Sequence, residues 1–350
     1  MRYRLSLRQT VQVRTVVGAR PFRRFSSKTA WLLAAGGRGA TLVLLASACT
    51  RPAGGWHEMG VDQDRTLIGV SCASPRFCNA IDLNGYAVLY QQGTWTSPIA
   101  VDTANAANGG QPASISCPSV TFCVLVDHAG AAMTFNGRTW SAPYLIDKGG
   151  ALVSISCPTP DFCLAADDSG EVFTYRGGTW SRPQSVDGVG SFAWISCSAQ
   201  TACVAVTSDS DNSTYRYQSG AWRHGASLAT STPQGGSEPN VLSHVSCPSS
   251  SFCAALDTFG EVFTYNGSKW SDPKMFDKIT NERDAVSCAA SSFCLIVDDA
   301  GNFTRYDGQW SQTAPIEAGR AVDAQSVSCP TRSFCMAVGG AGQAFIYGTS

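Results

Sequence analysis

The chain has 350 residues, 44% hydrophobic and 15% charged, with 34 Gly, 16 Pro and 15 Cys. Charged helix formers are scarce beside Gly, Ser, Thr and aromatics, which argues against a helical bundle and for a turn-rich β protein of one large domain or two. The formal net charge of −1 hides an asymmetry: nine of the 25 basic residues fall in positions 1–48, which hold no acid, so the remaining 16 face all 26 acidic residues and the body stands near −10. That balance, with no basic stripe after residue 49, excludes nucleic acid as a partner.

The N-terminus reads as an export signal. Arg2, Arg4, Arg8, Arg14, Arg20, Arg23, Arg24 and Lys28 form a long positive region. The apolar stretch Ala40–Ala48 is far shorter than the roughly 20 residues needed to span a bilayer, but it suits a signal peptide. Ala46, Ser47 and Ala48 precede Cys49, which resembles the bacterial lipobox, with Ala46 where Leu is usual and Leu45 one place earlier. The expected division is a lipoprotein signal over 1–48, a short anchor or linker over 49–55, and one folded body over 56–350. Lipidation at Cys49 would place the protein on the outer face of the plasma membrane. Simple secretion after cleavage near Ala48 is the alternative.

Fourteen further cysteines follow in seven C-x5-C pairs: Cys72/Cys78, Cys117/Cys123, Cys157/Cys163, Cys197/Cys203, Cys247/Cys253, Cys288/Cys294 and Cys329/Cys335. Only Cys49 lacks a mate. Even pairing in an exported body predicts seven structural disulfides. Zinc sites use shorter pairs backed by a second pair, and the redox motif C-x-x-C is absent.

The pairs mark an internal repeat. Their first cysteines are spaced 45, 40, 40, 50, 41 and 41 residues apart, a period of about 43 that matches a four-stranded propeller blade. Each unit parses into four strands. The first ends in apolar-Ser-Cys, the second begins Phe-Cys, a D-x-x-G turn follows, and the third alternates as in Glu171–Tyr175 and Glu261–Tyr265. A tight Gly-containing turn then leads to a fourth strand that begins at Trp. The seventh unit ends without its Trp strand, and Trp56 precedes the first pair. The prediction is an all-β, seven-bladed propeller of four-stranded antiparallel blades, closed by the N-terminal strand joining the C-terminal blade. The apolar-Ser-Cys strands then line the channel, and the Trp, Phe and Tyr of each unit pack between blades.

The same order places the cysteine hairpins at one end of the cylinder, and the D-x-x-G turns and inter-blade links at the other. Two links are long, 100–113 and 224–240, and insertions on one face mark a candidate binding surface. Candidate binding residues are Asn105, Trp194, His224, Gln234 and Glu238. Unit four diverges most, with Ala202 in place of Phe and no Gly in its Asp209–Asp211 turn. Asp82, Asp127, Asp167, Asp257 and Asp298 recur at one blade position and read as turn caps. No loop has the dense ladder of an EF-hand, so neither a metal nor another cofactor is expected.

No catalytic constellation emerges. There is no G-x-S-x-G and no H-E-x-x-H, and His57, His128, His224 and His244 are scattered. Glu171 and Glu261 sit inside repeated strands, and Arg176, Arg216 and Arg305 form no visible cluster. The reading therefore favours a non-enzyme.

The pattern S-C-x5-C-x-A-x-D-x-x-G-x4-Y-x-G-x-x-W-S is carried in the first unit by Ser71, Cys72, Phe77, Cys78, Asp82, Gly85, Tyr90, Gly93 and Trp95, with Gly93 one place late and Thr96 in place of the final Ser. It resembles exported repeat proteins of actinobacteria, and is similar in kind to WD40, Asp-box and assembly-factor propellers without their diagnostic motifs. The resemblance implies a fold and no substrate. The expected protein is a monomeric envelope lipoprotein that binds a protein or polysaccharide through one propeller face. The alternative is an exported glycan hydrolase or lyase with its site at the channel mouth.

Overall fold

The structure is a computed structural model that describes residues 55–62, 64–230, 240–275, 285–320 and 322–348. The signal segment, Cys49, Gln234 and Glu238 lie outside these residues. No helix among the described residues is long and apolar enough to cross a membrane.

Seven antiparallel sheets form a propeller. The innermost strands are Leu67–Ser74, Pro112–Ser119, Leu152–Thr159, Phe192–Ala199, Leu242–Ser249, Ala285–Ala290 and Ala324–Thr331, opening blades 1 to 7. Blade 7 takes its outer strand from the N-terminus: Gly55–Gly60 pairs with Gln343–Gly348, from Gly55 opposite Gly348 to Gly60 opposite Gln343. Closure of this kind removes the free edge that an open array would expose.

The sandwiching of each blade between two others explains its sequence. Second strands such as Phe77–Asp82 and Phe162–Asp167 are buried along their whole length, because both faces meet neighbouring blades. They therefore read as near-continuous apolar runs. Each junction encloses its own cluster; Val124 and Val126 of blade 2, for instance, pack with Leu152, Ile155 and Phe173 of blade 3.

All seven predicted disulfides are present, one per blade: Cys72–Cys78, Cys117–Cys123, Cys157–Cys163, Cys197–Cys203, Cys247–Cys253, Cys288–Cys294 and Cys329–Cys335. Each closes the hairpin between the first two strands of its blade. The two cysteines stand opposite one another, as with Cys72 and Cys78, Cys197 and Cys203, and Cys288 and Cys294. The second cysteine of every pair, Cys78, Cys123, Cys163, Cys203, Cys253, Cys294 and Cys335, is buried. These sulfurs are packed inside the blade junctions, where Cys123 and Cys163, for example, belong to successive core clusters. The bonds are therefore structural staples.

The serine before each first cysteine has a role that the repeat alone does not reveal. A strand lining the channel presents backbone N–H groups with no strand beyond it, and buried donors need partners. The hydroxyl of Ser71 accepts from the Cys117 N–H of the next blade at 2.9 Å. The same contact recurs from Ser116 to Cys157, Ser156 to Cys197, Ser196 to Cys247, Ser246 to Cys288, Ser287 to Cys329 and Ser328 to Cys72, each at 2.9–3.0 Å. The ring of seven latches is complete.

The aromatic packing differs in one respect from the expectation. Each tryptophan pairs first within its own blade, opposite a Tyr or Phe of the third strand; ring centroids lie 5.4 Å apart for Tyr90–Trp95 and 5.3 Å for Tyr347–Trp56. The third-strand ring then meets the phenylalanine of the preceding blade, as Tyr306 meets Phe252 at 5.5 Å. In blade 4, where Ala202 replaces that Phe, the Arg216 guanidinium lies over the Tyr265 ring of blade 5 at 4.8 Å and fills the gap.

The outer strand is also not one run. In blades 1 and 3 it splits into Thr94–Trp95 with Ile99–Ala100 and Thr179–Trp180 with Gln184–Ser185. At the break the residue after Trp supplies the acceptor that the outer strand no longer offers: Ser141 and Ser181 hydroxyls accept from Thr134 and Thr174 N–H at 3.0 and 2.9 Å. Blade 4 has no proline there, and its outer strand Ala221–Ser227 is continuous.

Candidate functional site

Two places carry chemistry-bearing side chains: the channel and the turn face. The channel holds a cavity of about 220 Å³ lined by the innermost strands. At the position two before the latch serine, three blades have a second hydroxyl latch, Ser114 to Ile155, Ser154 to Ile195 and Ser326 to Val70. Blades 4 and 5 instead place Trp194 and His244 there, with ring centroids 4.3 Å apart. Desolvation within the channel wall lowers the imidazole pKa to about 4, so it is neutral at pH 7. Its Nδ1 has no hydrogen-bond partner among the described residues.

At the turn face, the five recurrent aspartates are buried, none more than 2% exposed. One oxygen of each caps its own turn. Asp82 Oδ1 accepts from Asn84 and Tyr86 N–H at 2.9 and 2.8 Å, and Asp257 Oδ1 from Phe259 and Glu261 N–H at 3.0 and 2.8 Å. In blade 6, Asp298 Oδ1 accepts from Asn302 N–H at 2.7 Å. This is the expected capping role. In blade 4 Thr207 Oγ1 replaces the carboxylate and accepts from Ser213 N–H at 3.2 Å. Asn212 there has φ 49°, the left-handed position that glycine holds in the other D-x-x-G turns.

The second oxygen faces the end of the preceding blade, where another acid often stands. Arg65 bridges Asp62 and Asp82 and lies 4.4 Å over the Tyr86 ring. Asn105 donates to Asp127 Oδ2 at 2.8 Å, beside the buried Asp102. Burial, then the Asp127 carboxylate, push Asp102 up to about 7. Asn240 donates to Asp257 Oδ2 at 2.7 Å. Burial likewise raises Asp167, which the N–H groups of Glu171 and Ser169 oppose and the Asp147 and Glu171 charges reinforce.

The long link after blade 1 builds relief on this face. Its short helix α1 (Thr103–Ala106) forms one wall of a cleft of about 540 Å³, with Asp62, Asp64, Arg65, Asn84 and Tyr86 opposite.

The five candidate binding residues are not brought together. Asn105 is committed to Asp127, and Trp194 lines the channel. His224 sits on an outer strand with Nε2 2.9 Å from Ser213 Oγ. Gln234 and Glu238 lie outside the described residues. Arg176, Arg216 and Arg305 belong to three different blades and lie against Phe162, Tyr265 and Tyr347. Glu171 and Glu261 stand in blades 3 and 5, each beside its own turn aspartate rather than paired with the other. Sequence reasoning overlooked Arg65, Tyr86, Asp102 and Asp147. The signal available was register: an apolar-Asp dipeptide closes several units (Val61–Asp62, Val101–Asp102, Ile146–Asp147 and Val186–Asp187).

No family model matches the chain, and no curated protein matches it. Solved structures do. One, YCF48 bound to D1 peptide, is 14% identical with a TM-score of 0.63, covering 84% of this chain and 97% of its own. Virginiamycin B lyase from Staphylococcus aureus is 9% identical with a TM-score of 0.67, covering 85% of this chain and 100% of its own. A streptogramin B lyase is 10% identical with a TM-score of 0.68, covering 85% and 98%. At such identities the likeness is one of fold, a fold shared by a peptide-binding protein and by enzymes.

Proposed function

We propose that this protein is an exported binding module, held at the cell envelope through Cys49, that recognises a protein segment or polysaccharide with its turn face. The cleft beside α1 carries this reading. It sets an aromatic ring, a guanidinium and an amide among carboxylates, the mixture that orients a polar ligand. The body charge near −10 favours a neutral or basic ligand. Peptide and glycan arrays probed with the purified protein test the reading. Binding should weaken about tenfold or more in Tyr86→Ala, the loss of one central aromatic anchor. Equal binding by Tyr86→Ala and wild type would remove the cleft from consideration. Mass spectrometry of the mature N-terminus should find acylated Cys49; an unmodified N-terminus would refute the anchor and leave secretion.

One observation favours a second reading, a lyase or hydrolase acting at the channel. His244 lines the channel cavity beside Trp194 and is neutral at pH 7, so it can accept a proton, as a weak base because its pKa of about 4 lies well below the operating pH. Among the described residues no carboxylate orients it, so the binding reading stands first. Glycan turnover lost specifically in His244→Ala would reverse that order.

A further inference from the structure

The blade junctions on the turn face share one electrostatic problem, and its solutions can be compared by register. Seven residues before the first cysteine stand Arg65 in blade 1, Gly110 in blade 2, Gly150 in blade 3 and Asn240 in blade 5. In blade 1 the guanidinium at this position bonds the acids of both blades, Asp62 and Asp82. In blade 5 the Asn240 amide donates to Asp257. In blade 2 the position is glycine, and α1 delivers Asn105 to Asp127 instead.

Blade 3 has the glycine and no helix. Asp147 ends blade 2, Asp167 caps the blade 3 turn, and Glu171 begins the following strand. One carboxylate oxygen from each lies within 4.8 Å of the others. Asp167 is fully buried, and its Oδ2 has no hydrogen-bond partner among the described residues. A Cβ on Gly150 would lie 2.9 Å from Asp147 Oδ2, from Asp167 Oδ2 and from Ser169 Oγ. The space that Arg65 occupies in blade 1 is thus bounded here by oxygens. Among the described residues no Lys or Arg forms an ion pair with these three acids.

The geometry points to a calcium site at the junction of blades 2 and 3, held by Asp147, Asp167 and Glu171 with the Ser169 hydroxyl at its edge. The donors are all oxygen, which disfavours zinc and copper. Three carboxylates around one ion exceed the one or two that magnesium ordinarily takes. The ion does for blades 2 and 3 what the Arg65 guanidinium does for blades 7 and 1. The site is independent of the α1 cleft and of its ligand.

Isothermal titration of the EDTA-stripped protein with calcium chloride tests this, with magnesium chloride in parallel and thermal unfolding as a second readout. We expect one calcium per chain, a Kd in the range of about 10⁻⁴ to 10⁻³ M typical of extracellular sites, and a Tm that rises with calcium. Glu171→Gln caps no backbone group and should fold, with calcium affinity roughly tenfold or more weaker because affinity follows ligand charge. Glu261→Gln, the same change in blade 5, should leave the affinity unchanged. Gly150→Arg, whose backbone is outside the left-handed region but whose Cβ would push the three oxygens 2.9 Å away apart, should abolish calcium heat and make Tm insensitive to calcium. Absence of calcium heat from folded wild type would overturn the site. So would wild-type affinity in Glu171→Gln, or magnesium binding as tight as calcium.

Discussion

The serine latches permit a quantitative test of how the ring is held. Ser246→Ala removes the acceptor of Cys288 N–H, a bond of 3.0 Å between blades 5 and 6. The bond is part-buried, so water can reach the stranded donor only in part. Leaving a buried donor unmade costs about 1–3 kcal/mol, and partial access puts this one at about 1.5 kcal/mol. For a domain of roughly 300 residues the unfolding entropy near 60 °C is about 0.6 kcal/mol/K, so Tm should fall by about 2–3 °C. Ser116→Ala strands Cys157 N–H between blades 2 and 3 and should cost the same. The two bonds share no partner, so the double variant should lose the sum within about 0.5 kcal/mol. Ser246→Thr keeps the oxygen and should recover most of the loss. Differential scanning calorimetry gives the shifts, and hydrogen exchange at the Cys288 amide gives the local opening. Wild-type Tm together with wild-type protection at Cys288 in Ser246→Ala would refute the latch.

Closure of the ring predicts that Trp56→Ala, which removes the ring packed at a tilt 5.3 Å from Tyr347 and edge-on 5.6 Å from Phe303, destabilises by about 3 kcal/mol. An unchanged urea midpoint would speak against closure through this strand. Arg65→Met leaves Asp62 and the buried Asp82 without their shared cation and should cost about 2–3 kcal/mol, below the value for a fully buried pair; urea unfolding reads it. Asp102 has its pKa raised to about 7, so the folded state binds its proton more tightly than the unfolded state. That contribution is full below pH 4 and lost as pH rises through 7. Thermal scans from pH 5 to 8 should therefore show a decline in wild type that is flattened in Asp102→Asn. His244 runs the other way: its pKa is lowered to about 4, so stability should fall as pH drops from about 6.5 toward 4, and His244→Gln should remove that slope.

The fold was legible because a repeat states each rule seven times. One C-x5-C pair is ambiguous between a staple and a metal half-site, but seven at a propeller period are not. The offset of Trp56 from the last unit disclosed the closure as well. What escaped was the job of the small residues. The serine of Ser-Cys and the serine of Trp-Ser look like solvated strand positions, yet the first latches neighbouring blades and the second accepts a third-strand N–H where the outer strand is interrupted. Hydroxyls that replace missing backbone partners leave no trace in hydrophobic periodicity, because they substitute for geometry rather than for burial.

The turn face was half legible for a related reason. The aspartates at D-x-x-G were visible as caps, since the need for an acceptor at a tight turn is local. Their second oxygens answer to the previous blade, and that partner lies 17 residues upstream in one unit and 22 in another. Only when the blades are superposed on their cysteines do Arg65, Gly150 and Asn240 fall on one position. The variation there then gains meaning. Where a buried carboxylate is constant and the residue facing it changes from a cation to an amide to nothing, the missing interaction has to come from elsewhere. Glycine at such a position removes the partner and leaves the charge. That is why a single small residue in blade 3 is more informative about binding than the conspicuous insertions, whose described part spends Asn105 on holding its own junction together.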